Sequence, residues 1–378
     1  GCEVAREGGM ALAGARAGLS MPGDEWKQLF LAAEEFRLLA PWRWMDDSQV
    51  FGVRNPWTGE VGWCVVMGAA GLVRGLAVYR GERGYGAYSL TAEDRVDAED
   101  LVAYLDCLFL EFCDREELTD LDRRQVKAAG LKPRGRGVWP QFRSYLPWHA
   151  PWHLTSEEAR YMGLVVGQAY LVAARLGDGT APPLKKGSRL LVREPQPGEG
   201  GWVWSDAWVE PSVPAQPEEV WPAEEAVQRV VSGCVRTGET WEVDVFPLQA
   251  MVSEGQERPW LPPMLLVVSD GFPSAVVAEV VRPGPGIWQE LVGAWLRGVL
   301  AAGKLPQRVR VKRDEVAAML APTARLLGIP LEKKRKLRML DRLRRSLERG
   351  LARTAFSGRG PARRLPGRRL PRPPNGER

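Results

Sequence analysis

The sequence predicts an α+β N-terminal domain of helices plus an antiparallel meander, followed by a C-terminal α/β domain around a mixed sheet. Three observations carry this. From Phe36 to Gly81, a helix end, a Trp-rich corner and three short apolar runs joined by turns follow one another closely. A Pro-, Gly- and Trp-rich stretch, 177–222, then interrupts the pattern. Beyond Ala223, strand-like and helix-like segments alternate. A chain of 378 residues has the length of two domains. The expected boundaries are a disordered leader, 1–23; a first domain, 24–176; a connection with short strands, 177–222; a second domain, 223–353; and a basic disordered tail, 354–378.

Asp24 is a fitting N-cap for a helix in which Leu29, Phe30, Ala33, Phe36 and Leu39 recur at helical spacing, and Pro41 ends it. VFGVRN, EVGWCVVMG and LVRGLAVYRG read as strands, turned at Asn55 to Gly59 and at Gly68 to Gly71. A second helix is expected from Ala98 to Cys113 and a third from Glu116 to Ala129, stopped by Gly130. The prolines of VWPQFRSYLPWHAPWHL forbid a helix there. Thr155 or Ser156 caps a helix running to Arg175, with Glu157 and Glu158 in its first turn. SRLLVRE and GWVWSDAWVE are strand-like pieces of the connection.

In the second half, a short helix at Ala223 to Ser232 leads to the strand TWEVDVFPL. MLLVVSD and AVVAEVVR read as strands joined by a Gly-Phe-Pro-Ser turn. Helix Ile287–Ala302, strand RVRVK, helix Asp314–Leu327 and an extended piece at Ile329 to Leu331 follow. A basic helix, about Leu337 to Arg353, closes the domain with Leu337, Leu340, Leu343 (or Arg344), Leu347 and Leu351 on one face.

Charge is polarised along the chain. Residues 332–378 hold 17 Lys and Arg against 4 Asp and Glu, a net +13; against an overall +5, that leaves −8 for the rest. Such asymmetry points to a basic end that contacts nucleic acid, another polyanion or the acidic body. No apolar run approaches the length of a membrane span, so no membrane partner is expected. The five cysteines, Cys2, Cys64, Cys107, Cys113 and Cys234, are odd in number and lack a CxxC pair, which predicts a reducing compartment and a cytoplasmic location. The first twenty residues lack the apolar core of a signal peptide, and Met10 or Met21 reads as the true start.

The strings APWRWM, FGVRNPWTGE, CDREELTD and GVWPQFRSYLPWHAPW resemble a family of uncharacterised two-domain bacterial proteins, both of whose regions are domains of unknown function. PPMLLVVSDGFPSAVVAEV and KLPQRVRVKRDEVAAMLAPTARLLGIPL look like the second of those domains. The resemblance implies a bacterial protein and carries over no catalytic residue. The element order of the second half also resembles the ribonuclease H-like fold of integrase and transposase cores. That resemblance implies a divalent-metal site made of an Asp after the first strand, an Asp after a later strand and a Glu on a following helix. Asp270, Asp314 and Glu348 stand at such positions and would hold Mg2+ or Mn2+ for attack at phosphate. Each has a structural alternative: a turn residue, a helix cap and an i,i+4 partner of arginine, respectively. If that acidic set is inactive, no cofactor is expected.

Other constellations are weaker. His149 and His153 lie four apart, but Pro147 and Pro151 remove the helix that would align them. GERGYG lacks the spacing of a phosphate cradle, and Lys132, Arg134 and Arg136 read as a solvated basic loop. Trp42, Trp44, Trp57, Trp63, Trp139, Trp148 and Trp152 either fill a core or line a ligand groove.

The leading expectation is a non-enzymatic binding or accessory protein that contacts nucleic acid through Lys333, Lys334, Arg335, Lys336, Arg338, Arg342, Arg345 and Arg349. The alternatives are a divergent metal-dependent nuclease or strand transferase, and a small-ligand sensor using the Trp-rich corner with His149.

Overall fold

The computed structural model describes residues 24–71, 73–93, 96–212, 217–271 and 275–357, the last six of these as backbone only. The expected leader, the Phe272–Ser274 part of one turn, Cys2 and the segment from Gly358 onward lie outside the described residues.

The first sheet is built on the meander the sequence predicts. Helix α1 (Asp24–Leu39) leads through a left-handed Ala40 (φ 53°) into a 3-10 turn begun by Pro41. Strands β1 (Val50–Arg54), β2 (Val61–Met67) and β3 (Gly75–Arg80) follow, each antiparallel to the one before. Next come helix α2 (Gly81–Ala92), strand β4 (Cys107–Cys113), helix α3 (Asp120–Ala128), strand β5 (Trp139–Tyr145) and helix α4 (Ser156–Gly177). Thr155 accepts the N–H of Glu158 while the Glu158 carboxylate accepts the N–H of Thr155, a reciprocal cap on α4.

One helix expected from the sequence is corrected here. Residues 98–113 do not form a helix: a 3-10 turn at Leu101–Ala103 precedes β4, which pairs with β3 and β5. The run CLFLEFC is apolar on both faces because both faces are covered, so its pattern does not distinguish strand from helix. Conversely, GERGYG opens α2. Gly84 lets that helix lie on β3, since a Cβ there would fall 2.5 Å from the Tyr79 carbonyl carbon.

The segment 177–222 is not a detached connection. Strand β6 (Lys185–Lys186), β7 (Arg189–Gly198) and β8 (Gly201–Val209) belong to the first sheet, with β7 parallel to β1. Arg54 forks onto Glu194 at 2.7 and 2.8 Å, tying β1 to β7. Arg175 on α4 and Arg193 on β7 share Asp206 on β8. The strand order is β5-β4-β3-β2-β1-β7-β6, with β8 on β7. One face buries Phe51, Val66, Leu108 and Leu110 under α1, α3 and α4; the other buries Trp63, Ala77, Tyr79 and Phe109 under α2 and the Leu101–Leu105 turn.

The second sheet starts after helix α5 (Glu224–Gly233) and a two-residue strand, β9 (Val235–Arg236). Its strands are β10 (Thr240–Pro247), β11 (Pro263–Ser269) and β12 (Ala275–Val280), all antiparallel neighbours. Helix α6 (Ile287–Ala302) and the short β13 (Lys304–Leu305), which pairs with β9, lead to β14 (Arg308–Val311), helix α7 (Asp314–Leu327), β15 (Leu331–Lys333) and helix α8 (Arg338–Ser357). The order is β12-β11-β10-β14-β15, with β14 parallel to both β10 and β15.

Alternation along β10 decides what sits on each side of this sheet. Trp241, Val243 and Val245 face the core beneath α5, α6 and α7. Glu242, Asp244 and Phe246 point the other way, where Leu337, just before α8, and Leu340 on it pack with Phe246, Leu266 and Val268.

Candidate functional site

Helix α8 is amphipathic, and its two sides do different things. Leu337 and Leu340 are fully buried, and Leu343 and Leu347 pack against the same cluster. Arg338, Arg342, Arg345 and Arg349 are all exposed, spaced 4, 3 and 4 apart, which lines them along one stripe. Lys333, Lys334, Arg335 and Lys336, just before the helix, are exposed too. Of these eight residues, Lys333 pairs with Asp314 and Lys334 with Glu332 at 3.2 Å. The other six carry no ion pair among the described residues.

The N-terminus of α8 is held from inside the sheet. Glu242, only 4% exposed, accepts the N–H groups of Met339 and Leu340 through one carboxylate oxygen. A carboxylate at that end satisfies free donors and complements the helix dipole.

At the opposite edge of α8's buried face lies an ionic cluster shared by the two domains. Arg313, two residues past β14 and just before α7, pairs with Asp244 of β10 at 2.9 Å and with Asp100 of the first domain. Arg344 of α8 bonds both Asp100 oxygens, at 2.8 and 3.2 Å, and pairs with Glu348 at 2.8 Å. Asp100 is 1% exposed and Asp244 3%. Burial works to raise the Asp100 carboxyl, but the Arg313 charge and the Arg344 bonds outweigh it and hold the group below its ordinary range. For Asp244, burial prevails over Arg313 and, with the Asp100 charge beside it, pushes the carboxyl up. Burial also lifts the neighbouring Tyr104 hydroxyl to about 12.

The three predicted acids do not converge. Asp270 sits at the start of β10, its carboxylate accepting the N–H of Thr240 at 2.8 Å. Asp314 follows the far end of β14, a strand parallel to β10 whose Arg308 lies beside Thr240, so the two acids stand at opposite ends of that strand pair. Asp314 turns outward to Lys333, and it is Arg313 that points inward. Glu348 is bound to Arg344. Among the described residues, no group of three or more His, Cys, Asp or Glu is arranged to hold a metal ion.

Tryptophans of the N-terminal corner are mostly packing residues. Trp42 lies between Phe36 and Phe112, and Trp63 stacks near Tyr85. Trp148, with positive φ, packs onto the core of the second domain. Trp57 is exposed beneath Arg160, whose guanidinium carbon is 4.0 Å from the ring centre. Two cavities, of about 420 and 500 Å3, are lined by neither Trp nor His. His149 faces the Pro147 carbonyl at 2.7 Å, and His153 lies 3.6 Å from Asp122.

Sequence reasoning missed Asp100 and Asp244. Asp244 had a usable signal: two acids alternating with Trp and Val in WEVDV mark a polar side of a strand that something must cover. Asp100 had none, since it was placed inside an expected helix.

The chain is thus a two-domain protein with mixed α/β architecture, its halves joined through a buried set of acids and arginines. Residues 26–193 match a domain of unknown function (DUF7309), and residues 227–348 match a second domain of unknown function (DUF6930). The chain belongs to a two-domain family composed of these modules. No curated protein and no solved structure matches it. No helix among the described residues is long and apolar enough to cross a membrane.

Proposed function

We propose that the protein is a nucleic-acid-binding accessory protein that grips phosphate backbones through the exposed basic side of α8. One observation carries this reading: Arg338, Arg342, Arg345 and Arg349 form a solvent-facing stripe with no acidic partner among the described residues, on a helix fixed by its apolar side and by Glu242. Guanidiniums held on a rigid rod, unneutralised by the protein, are suited to phosphate contacts and carry no base-reading motif. Binding is therefore read as independent of sequence.

The second domain is read as a ribonuclease H-like scaffold, in support of which β10 to α8 follow the element order of that fold. On this reading, β10 is the first strand and Asp244 its acid. Where the fold would place the second acid, Arg313 points inward, and Arg344 comes from the last helix. This substitution of arginines for carboxylates supports a binding role over metal-dependent cleavage. A reducing, cytoplasmic setting in a bacterium fits the four described cysteines, all of them free.

The test is fluorescence anisotropy with a labelled 20-mer duplex. The variant Arg342→Gln/Arg345→Gln/Arg349→Gln is expected to bind at least about tenfold more weakly than the unaltered chain. Equal affinities would sink the assignment of the interface to α8.

A further inference from the structure

The acidic segment 97–106 of the first domain lies against the basic end of the second sheet. Asp97 meets Lys312 at 3.0 Å, Glu99 stands 3.9 Å from Arg344, and the Glu99 carbonyl accepts from Gln249 at 3.3 Å. At the centre, the Asp100 carboxylate is enclosed by guanidiniums that both belong to the other domain. Arg344 approaches it as a fork, with separate nitrogens on separate oxygens, and Arg313 comes in from the end of β14. A bidentate guanidinium joined by a second, single-point one is an arrangement that recognises phosphate as readily as carboxylate.

Charge supports the same exchange. Asp100 brings one negative charge, and so does one phosphodiester. Asp244 and Glu348 keep their own pairs with Arg313 and Arg344, so replacing Asp100 by phosphate leaves the balance of the cluster unaltered. Position supports it as well. Arg344 lies one residue from Arg345 on α8, roughly a third of a turn from the exposed stripe. Lys312, beside Arg313, is partly exposed and pairs with Asp97, a residue of the acidic segment.

We propose that Arg313 and Arg344 form a second phosphodiester site, occupied in this structure by Asp100, so that the acidic segment 97–106 and nucleic acid compete for the same arginines. The proposal rests on α8 being the nucleic-acid face and extends it: the stripe makes first contact, and release of Asp100 adds two guanidiniums and Lys312. The closed arrangement then lowers the apparent affinity by the fraction of molecules that are open.

Hydrogen exchange on the unaltered full chain, with and without a 20-mer DNA duplex, tests this directly. Amides of 97–106 are expected to exchange about tenfold faster with DNA bound. In parallel, duplex affinity is measured for Asp100→Asn and for Asp97→Asn. The second variant breaks only the rim pair with Lys312 and leaves the buried arginines partnered, so it reports even if the first fails to fold. Both are expected to bind more tightly than the unaltered chain, Asp100→Asn by about tenfold. If 97–106 exchanges no faster with DNA and the variants bind as the unaltered chain does, while Arg342→Gln/Arg345→Gln loses affinity, the second site does not exist and the α8 face stands. If none of these proteins binds DNA, both readings fall.

Discussion

Glu242 holds the N–H of Leu340 at 2.9 Å, and that of Met339 through the same oxygen, so a residue from the middle of β10 caps the helix that carries the basic stripe. This contact fixes where α8 begins and which way its arginines face. The carboxylate is buried, so its charge acts on the helix terminus with little screening by water.

Replacing Glu242 by Gln keeps the size and removes the charge. The expected loss is about 1–2 kcal/mol of stability, read as a lowered urea midpoint with an unchanged slope. An unchanged midpoint would show that α8 does not depend on this cap.

Gly84 makes α2 possible. An added Cβ would lie 2.5 Å from the Tyr79 carbonyl carbon and 2.8 Å from the Asp106 carbonyl oxygen, and both are backbone atoms. Gly84→Ala is expected to cost about 1–3 kcal/mol, although alanine favours helices in general. A gain in stability, followed by the denaturation midpoint, would contradict the close approach of α2 to β3.

The Trp-rich corner separates into packing and surface residues. Trp42→Ala is expected to cost about 3–5 kcal/mol, because the ring fills space between Phe36 and Phe112. Trp57→Ala removes an exposed stack with Arg160 and is expected to cost about 1 kcal/mol or less. Equal losses in urea unfolding would mean the corner is not organised in this way.

Glu239 gives a pH signature. Hydrogen bonds from Lys304 at 2.7 Å, the Trp241 indole at 3.1 Å and the Ser269 hydroxyl at 2.7 Å bring its carboxyl down to about 2. The folded value lies below the ordinary one of about 4.3, so the stabilisation is complete above that pH and fades as pH falls through about 2. Glu239→Gln is expected to flatten the stability profile between those values. A profile in that window that matches the unaltered chain would remove Glu239 from the account.

The helices α1, α4, α6 and α7 and the strands β1 to β3 were legible because their apolar spacing matches one covered face or one bounded run. Residues 98–113 were not, because a strand buried on both faces shows no alternation. The first domain also extends past its expected end at 176. Nothing local to SRLLVRE reveals that Gly52 and Val53 will receive it as a parallel neighbour. Arg338, Arg342, Arg345 and Arg349 are exposed, as periodicity on α8 implied, and so are the four basic residues just before the helix. The acids were misjudged for a topological reason. With MLLVVSD taken as the first strand, Asp270 became its terminal acid, whereas β10 lies at the sheet's centre and contributes Asp244 to the partnership with Arg313.

If α8 binds nucleic acid through its phosphates, duplex affinity must fall steeply with salt. Plotted as log Kobs against log salt, the unaltered chain is expected to fall with a slope of about −3.6 or steeper, about 0.9 for each of four stripe arginines and more where Arg313, Arg344 and Lys312 join them. In Arg342→Gln/Arg345→Gln/Arg349→Gln, the slope is expected to become shallower by about 2.7, roughly 0.9 for each guanidinium removed. A slope near zero for the unaltered chain, or the same slope in both proteins, would contradict the account.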